Sequence, residues 1–199
     1  MGDLILVRHG ETEWSLSGQH TSWTDLPLTE RGRAQAQALA PLLAEHKVCW
    51  AAASPLARAQ ETAKLAGLDP VVTDPDLMEW DYGAYEGVTT RDIHRDRPSW
   101  DLWTDGVPSG PEGHPGESPE QVGRRADRVI AKAEAALANG RGGDVVLVAH
   151  AHFLRVLTAR RLGLPPRDGA LFQLATGTIS RLSTEHSRWV IASWNEQPR

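Results

Sequence analysis

Residues 4–15 read LILVRHGETEWS: four apolar residues run directly into Arg8, His9 and Gly10. Leu, Ile, Leu and Val without polar alternation predict a strand buried on both faces, as in the middle of a parallel sheet. A guanidinium that never loses its charge and an imidazole that titrates, at the end of such a strand, call for a ligand or a reaction. Gly10 lets the backbone come close to such a ligand.

The pattern repeats downstream. TERGRAQAQALAPLLAEH, residues 29–46, predicts a helix with Thr29 as N-cap and Leu39, Leu42 and Leu43 on one side, kinked at Pro41. VCWAAAS, 48–54, predicts the next strand, with Cys49 as a small core residue. Ser54-Pro55 opens a second helix that stops at Gly67. DVVLVAH, 144–150, is a third buried strand, again ending in a histidine, and FLRVLTARRLG, 153–163, is helical. The tail from about 170 to 194 predicts two or three strands. Alternation of strand and helix makes an α/β fold with a parallel sheet the economical arrangement.

Residues 104–119, TDGVPSGPEGHPGESP, hold four glycines and four prolines, so no packed element is expected there. The remaining chain is too short for a second complete domain. This favours one domain over 1–199 with a flap at about 89–119. Ser118 and Gln121 form a capping box at the head of a long helix ending near Asn139-Gly140.

Composition narrows the function. The 199 residues are 40% hydrophobic and 24% charged, with a formal net charge of −5. A net acidic chain argues against broad binding to nucleic acid or to an acidic membrane surface. No stretch approaches the length of an apolar membrane span, Met1 leads straight into a strand, and the one cysteine excludes an internal disulfide. A cytoplasmic location is expected. A homodimer through the apolar tail strands stays open.

Arg8 and His9, Ser54 and Arg58, and His150 fall at the ends of three successive strands. In open parallel sheets, sites form beyond the carboxyl ends of the strands. Parallel neighbours would gather two arginines and two histidines at one edge, where helix N-termini add inward-pointing N–H groups. Such a pocket suits a phosphate or another small oxyanion.

LVRHGETEW (6–14), TDLPLTERG (24–32), ASPLARAQETA (53–63), EWDYGAYEG (79–87) and VAHAHFLRVL (148–157), in this order, resemble the histidine phosphatase (phosphoglycerate-mutase-like) superfamily over nearly the whole chain. The resemblance implies a three-layer α/β/α sandwich with a mostly parallel central sheet. It implies His9 as the nucleophile forming a phosphohistidine, with Arg8, Arg58 and His150 on the phosphate oxygens and Glu79 as the proton donor. No metal or cofactor is implied, because fixed positive groups can take the cation's role in phosphoryl transfer. Ser15, His20, Thr21 and Ser22 in the early loop are candidate substrate contacts. Ala151, where glycine is common in the family, would narrow the pocket. Asp81 would sit beside Glu79 in an extended segment and raise its pKa by like-charge repulsion.

EWDYGAYEG, WDLWTDG (100–106) and the pair His150 and His152 look most like the subgroup of acid phosphatases and sedoheptulose-bisphosphatase-type enzymes, with His152 a further substrate contact. The expected activity is metal-independent hydrolysis of small phosphomonoesters, with sugar phosphates as the nearest class. Three other readings stay in view. A cofactor-dependent phosphoglycerate mutase would carry a longer insertion than residues 88–110. A metallohydrolase would use His150-x-His152. A non-catalytic module would bind a phospho-ligand or protein on the same fold, and the clustered Trp14, Trp23, Trp80, Trp100 and Trp103 could serve it.

Overall fold

The computed structural model describes residues 2–140 and 142–198. Strands are β1 (Leu4–Arg8), β2 (Val48–Ala53), β3 (Val72–Thr73), β4 (Asp144–Ala149), β5 (Ile179–Glu185) and β6 (Arg188–Glu196). Helices are α1 (Glu13–Ser17), α2 (Glu30–Ala44), α3 (Ala57–Leu65), α4 (Thr90–Asp96), α5 (Leu102–Asp105), α6 (Pro119–Asn139) and α7 (Ala151–Arg161). The strands form one six-stranded sheet in the order β3-β2-β4-β1-β5-β6. The first four strands are mutually parallel, and β5 and β6 complete the sheet antiparallel.

Successive side chains of a strand point to opposite faces, and the core divides accordingly. Leu4 and Leu6 of β1 join Val145, Leu147 and Ala149 of β4 against α6 and α7. Ile5 and Val7 join Val146 and Val148 against Leu39 and Leu43 of α2 and Ala59 and Ala63 of α3. The expected three-layer sandwich is therefore present. Each of the four β1 side chains, at most 1% exposed, is worth about 1.5–3 kcal/mol when removed from water. They anchor the strand that delivers Arg8 and His9.

The sheet order places the site. From β1 the chain crosses to β2 through α2 on one face. From β4 it runs into α7 on the other face and returns as β5 on the far side of β1. Neighbouring strands β1 and β4 thus send their C-terminal connections to opposite faces, and a crevice opens between them. His9 and His150 are the first residues past those two strand ends.

Local signals behave as their chemistry requires. Thr29 caps α2 through Gly32 N, and Ser118 and Gln121 exchange both capping-box bonds at the head of α6. The buried stripe of α6, Val122, Ala126, Val129, Ala133 and Leu137, keeps helical spacing. Among the described residues no helix is long and apolar enough to cross a membrane.

Three expectations are corrected. Cys49 is exposed rather than in the core. The pairing of β2 with β4 slips between Val48 and Trp50, so Cys49 is the extra residue of a bulge and leaves the inward alternation. α3 starts at Ala57 rather than at Pro55, because Ser54 Oγ is engaged by His150 and the helix end is satisfied by Asp25, which accepts from Ala57 N at 2.8 Å. Gly10 is tight against protein: a Cβ there would lie 2.2 Å from Gly32 O, and one on Gly32 would lie 2.1 Å from Glu11 O.

The stretch 106–117 forms neither helix nor strand, yet it is bonded to residues 80–84. Trp80 Nε1 donates to Glu117 O at 2.8 Å, and Gly116 N to Asp81 Oδ2 at 3.1 Å. Just before it, α4 and α5 bring Trp100 and Trp103 into the core, at 5% and 8% exposure.

The turn after β1 and the first turn of α2 therefore pack backbone on backbone. Gly32→Ala is expected to cost about 1–3 kcal/mol by overpacking, read as a lower denaturation midpoint at unchanged m-value. An unaltered midpoint would show that this contact is loose.

Candidate active site

Arg8, His9, Ser15, His20, Thr21 and Glu79 line a cavity of about 260 Å³ at the β1/β4 crevice, with Ala151 and His152 at the head of α7. A larger groove of about 540 Å³ runs between α2, β2 and β3. Its lining is mostly apolar and holds no arginine, so size does not identify the site.

His9 is 5% exposed, and its Nδ1 lies 2.7 Å from Gly10 O. A carbonyl only accepts, so Nδ1 carries the proton and the lone pair is on Nε2. Burial, then the charges of Arg58 and Arg8, hold the His9 pKa well below the usual imidazole value. Near neutrality the ring is neutral and held in a fixed orientation, as an attacking imidazole would need to be. Arg8 donates through Nη1 to Leu174 O, its Nε is sealed in the protein, and its Nη2, which is not sealed, has no hydrogen-bond partner among the described residues. A charged donor in the cavity wall with an unused N–H is suited to an oxyanion.

His150 and Arg58 stand behind His9. The His9 and His150 rings are 5.0 Å apart at a steep angle. Arg58 Nε donates to His150 Nδ1 at 3.3 Å, and His150 Nε2 donates to Ser54 Oγ at 2.8 Å. Arg58 can only donate, so the His150 proton is on Nε2, opposite to His9. The rest of the Arg58 fork donates to Thr24 O and Ser22 O, each at 2.9 Å, and to Thr21 O. Both side chains are thus bonded to protein, and neither lines the cavity.

Glu79 reaches the cavity from a connecting segment. Oε1 accepts from Trp80 N at 2.9 Å and Phe153 N at 2.7 Å, and Oε2 from His152 N at 3.0 Å. The last two are free N–H groups of the first turn of α7. Burial raises the Glu79 pKa, and these N–H donors and Arg8 oppose it. Burial wins, so the group keeps its proton to higher pH than an ordinary glutamate. Asp81 is not a cause of this shift. Its carboxylate turns away, accepting from Gly83 N and Gly116 N, and it borders a second hollow that Glu79, Trp23 and His114 also line.

The other expected contacts divide. Ser15 Oγ is the return half of a capping box with Thr12 at the head of α1, at the cavity wall. His20 donates through Nδ1 to Val88 O at 2.6 Å, which holds its ring in the wall. Ser22 is buried outside the cavity, where its N and that of Thr24 donate to the Glu86 carboxylate. Of the tryptophans, Trp14 lines the cavity, Trp80 is in the core, and Trp23 stacks on His114 at 3.9 Å.

Arg155 and Tyr82 also line the cavity without having been singled out. Arg155 follows His152 by three positions and Ala151 by four, so the helical reading of this segment already put it on their face. It donates to Gly169 O and Ala170 O and lies 4.6 Å over the Trp103 ring. Nothing local marks Tyr82. Its place follows from the 3-10 turn at Gly83–Tyr85 and the approach of α7.

A sequence profile described as the histidine phosphatase superfamily (branch 1) matches residues 4–197. The chain is 42% identical over 189 residues to an acid phosphatase of Mycobacterium tuberculosis, covering 92% of this chain and 87% of that protein. It is 37% identical over 190 residues to a sedoheptulose 1,7-bisphosphatase of Saccharomyces cerevisiae, covering 80% of this chain and 67% of that protein. A solved structure of an open-reading-frame product of M. tuberculosis superposes with a TM-score of 0.90 at 39% identity, over 100% of this chain and 99% of that one. The matches run through every element that builds the cavity, and the chain belongs to the histidine phosphatase superfamily, branch 1.

Proposed function

We propose that the protein hydrolyses small phosphomonoesters, sugar phosphates among them, through a phosphohistidine on His9. The observation that carries this is the state of His9: buried, neutral, its proton fixed on Nδ1 by Gly10 O, beside Arg8, whose unsealed Nη2 has no hydrogen-bond partner among the described residues. The acid phosphatase and sugar bisphosphatase among the relatives support the reaction and the substrate class.

In the first step the Nε2 lone pair forms an N–P bond as the P–O ester bond breaks. Glu79 gives its proton to the leaving alkoxide. In the second step water attacks phosphorus, the Glu79 carboxylate takes its proton, and the N–P electron pair returns to Nε2. Charge spreads over the equatorial oxygens during both transfers. Arg8 faces that charge directly. Arg58 and His150 stand close behind, and the field of Arg58 helps keep His9 unprotonated.

Metal chemistry through His150 and His152 has little to stand on. The nitrogens of His150 bond Arg58 and Ser54, and Nδ1 of His152 meets Tyr82. Among the described residues no cluster of three or more His, Cys, Asp or Glu is placed to hold a metal ion.

Hydrolysis of 4-nitrophenyl phosphate in excess chelator tests the reading. Wild type is expected to be active, and His9→Ala to lose about 10³-fold or more. An acid-labile phosphoenzyme should be trapped by quenching wild type but not the variant. Activity that persists without His9 excludes the phosphohistidine.

The pH profile follows from the two shifts. Protonating His9 removes the nucleophile, so activity falls as pH drops through its lowered pKa. Deprotonating Glu79 removes the acid, so activity falls as pH rises through its raised pKa. The optimum should therefore lie between the lowered His9 limb and the raised Glu79 limb. Glu79→Gln is expected to abolish the upper limb and lower kcat by about 10²–10⁴-fold on alkyl esters, with a smaller loss on 4-nitrophenyl phosphate, whose leaving group needs no proton. A limb unchanged in Glu79→Gln would belong to the substrate phosphate, whose own second pKa is about 6.

A further inference from the structure

Tyr82 and His152 form a pair in the cavity wall that the phosphoryl transfer steps do not use. Tyr82 Oη lies 2.6 Å from His152 Nδ1. Tyr82 is 2% exposed, and its hydroxyl meets no other hydrogen-bond partner among the described residues. A buried phenol needs an acceptor for its proton, and Nδ1 is the one within reach. The hydroxyl therefore donates, Nδ1 accepts, and the imidazole proton sits on Nε2. Burial pushes the Tyr82 phenol well up and the His152 imidazole well down, which favours the neutral form of each.

Nε2 of His152 has no protein partner among the described residues, and it is not one of the sealed, unpaired buried atoms. It belongs to a ring that lines the cavity holding His9, Arg8 and Glu79. The ring is fixed on its other sides by Trp103 and Trp80, with centroids at 5.4 and 6.4 Å. The main-chain N–H of the same residue holds Glu79 Oε2. A donor of known tautomer is thus presented from a rigid mount, on the same residue that anchors the proposed acid.

We propose that His152 is a specificity residue: its Nε2–H donates to a hydroxyl or carbonyl oxygen in the alcohol part of the substrate, and Tyr82 is the positioning residue that keeps the proton on Nε2. The proposal rests on the phosphatase reading above and deepens it. A neutral N–H suits a neutral oxygen, whereas a second anionic group would be better served by a guanidinium. The contact therefore selects hydroxyl-rich esters over esters whose alcohol part offers no acceptor.

The test uses glycerol 3-phosphate and ribose 5-phosphate beside phenyl phosphate, with wild type, Tyr82→Phe, His152→Met and His152→Gln. One neutral hydrogen bond corresponds to about 3–10-fold in affinity. His152→Met should lose about that factor more in kcat/KM on the hydroxyl-rich esters than on phenyl phosphate, mainly through KM. His152→Gln, whose side-chain amide restores a donor near the Nε2 position, should recover part of it. Imidazole ¹⁵N NMR should show the Nε2–H tautomer for His152 in wild type and a shift toward a mixture in Tyr82→Phe, a change that a purely structural role would not produce. Equal losses on all three esters, or a wild type that turns over phenyl phosphate alone, overturn the proposal. An Nδ1–H tautomer in an active wild type overturns it while leaving the phosphatase reading intact. A wild type that hydrolyses none of the three while His152 keeps the Nε2–H tautomer overturns the phosphatase reading and the substrate contact with it.

Discussion

The arrangement of the site depends on one buried charge. Arg58 is 1% exposed, and its guanidinium is held by three main-chain carbonyls of the 21–24 loop and by the imidazole of His150. A guanidinium taken out of water costs several kcal/mol unless its donors are satisfied. Here carbonyl dipoles do most of that, with the charges of Glu79, Asp25 and Glu86 nearby. The loop path is therefore set by the arginine: three carbonyls must converge on one planar fork. Asp25, at the end of the same loop, satisfies the N-terminus of the helix that carries the arginine. Loop and helix are mutually dependent, so the wall formed by His20 and Thr21 is built outward from Arg58. Burial first, and then the same charge, depresses the pKa values of His9 and His150, so the group that shapes the loop also helps keep the proposed nucleophile unprotonated.

Glu79 shows the opposite balance. Three main-chain N–H groups favour its carboxylate, and burial favours its acid form. A group poised between two such influences suits the role proposed for it, releasing a proton in one step and accepting one in the next. Surrounding it with further arginines would fix it as a carboxylate, and removing the N–H donors would fix it as an acid.

Much of this was readable in the chain because it was encoded locally. An apolar run without alternation marks β1. Thr29 and the Ser118/Gln121 pair mark helix starts through side-chain geometry alone. Polar residues just past strand ends mark the crevice. What escaped reading depends on contacts between distant segments. Asp81 sits two positions from Glu79, but glycines 83 and 116 draw its carboxylate away. Ser22 lies in the loop expected to touch the substrate, yet Glu86 and Arg58 hold its backbone outside the cavity. Cys49 leaves the core because of one extra residue in a strand pairing. Arg58 and His150 have the composition of oxyanion ligands, but only the tertiary structure shows how many of their donors other residues already use.

Rigidity is unevenly distributed around the cavity, and this bears on which part sets specificity. One wall is the head of α7, where Phe153, Leu154, Val156 and Leu157 are all fully buried. A helix held by that much packing cannot shift its first turn without opening the core. His150, Ala151, His152 and Arg155 all ride on it, and Glu79 is bonded to its N–H groups. The facing wall, from Trp14 to Thr21, is a five-residue helix and a loop held by hydrogen bonds to the main chain of Gly87 and Val88 as much as by packing. Glu79 and His152 are thus tied to the packed helix, whereas the wall from Trp14 to Thr21 is tied to the chain mainly through hydrogen bonds. A donor that selects one alcohol group over another must keep a fixed geometry, as the acid beside it must, and both share the mount that packing makes rigid.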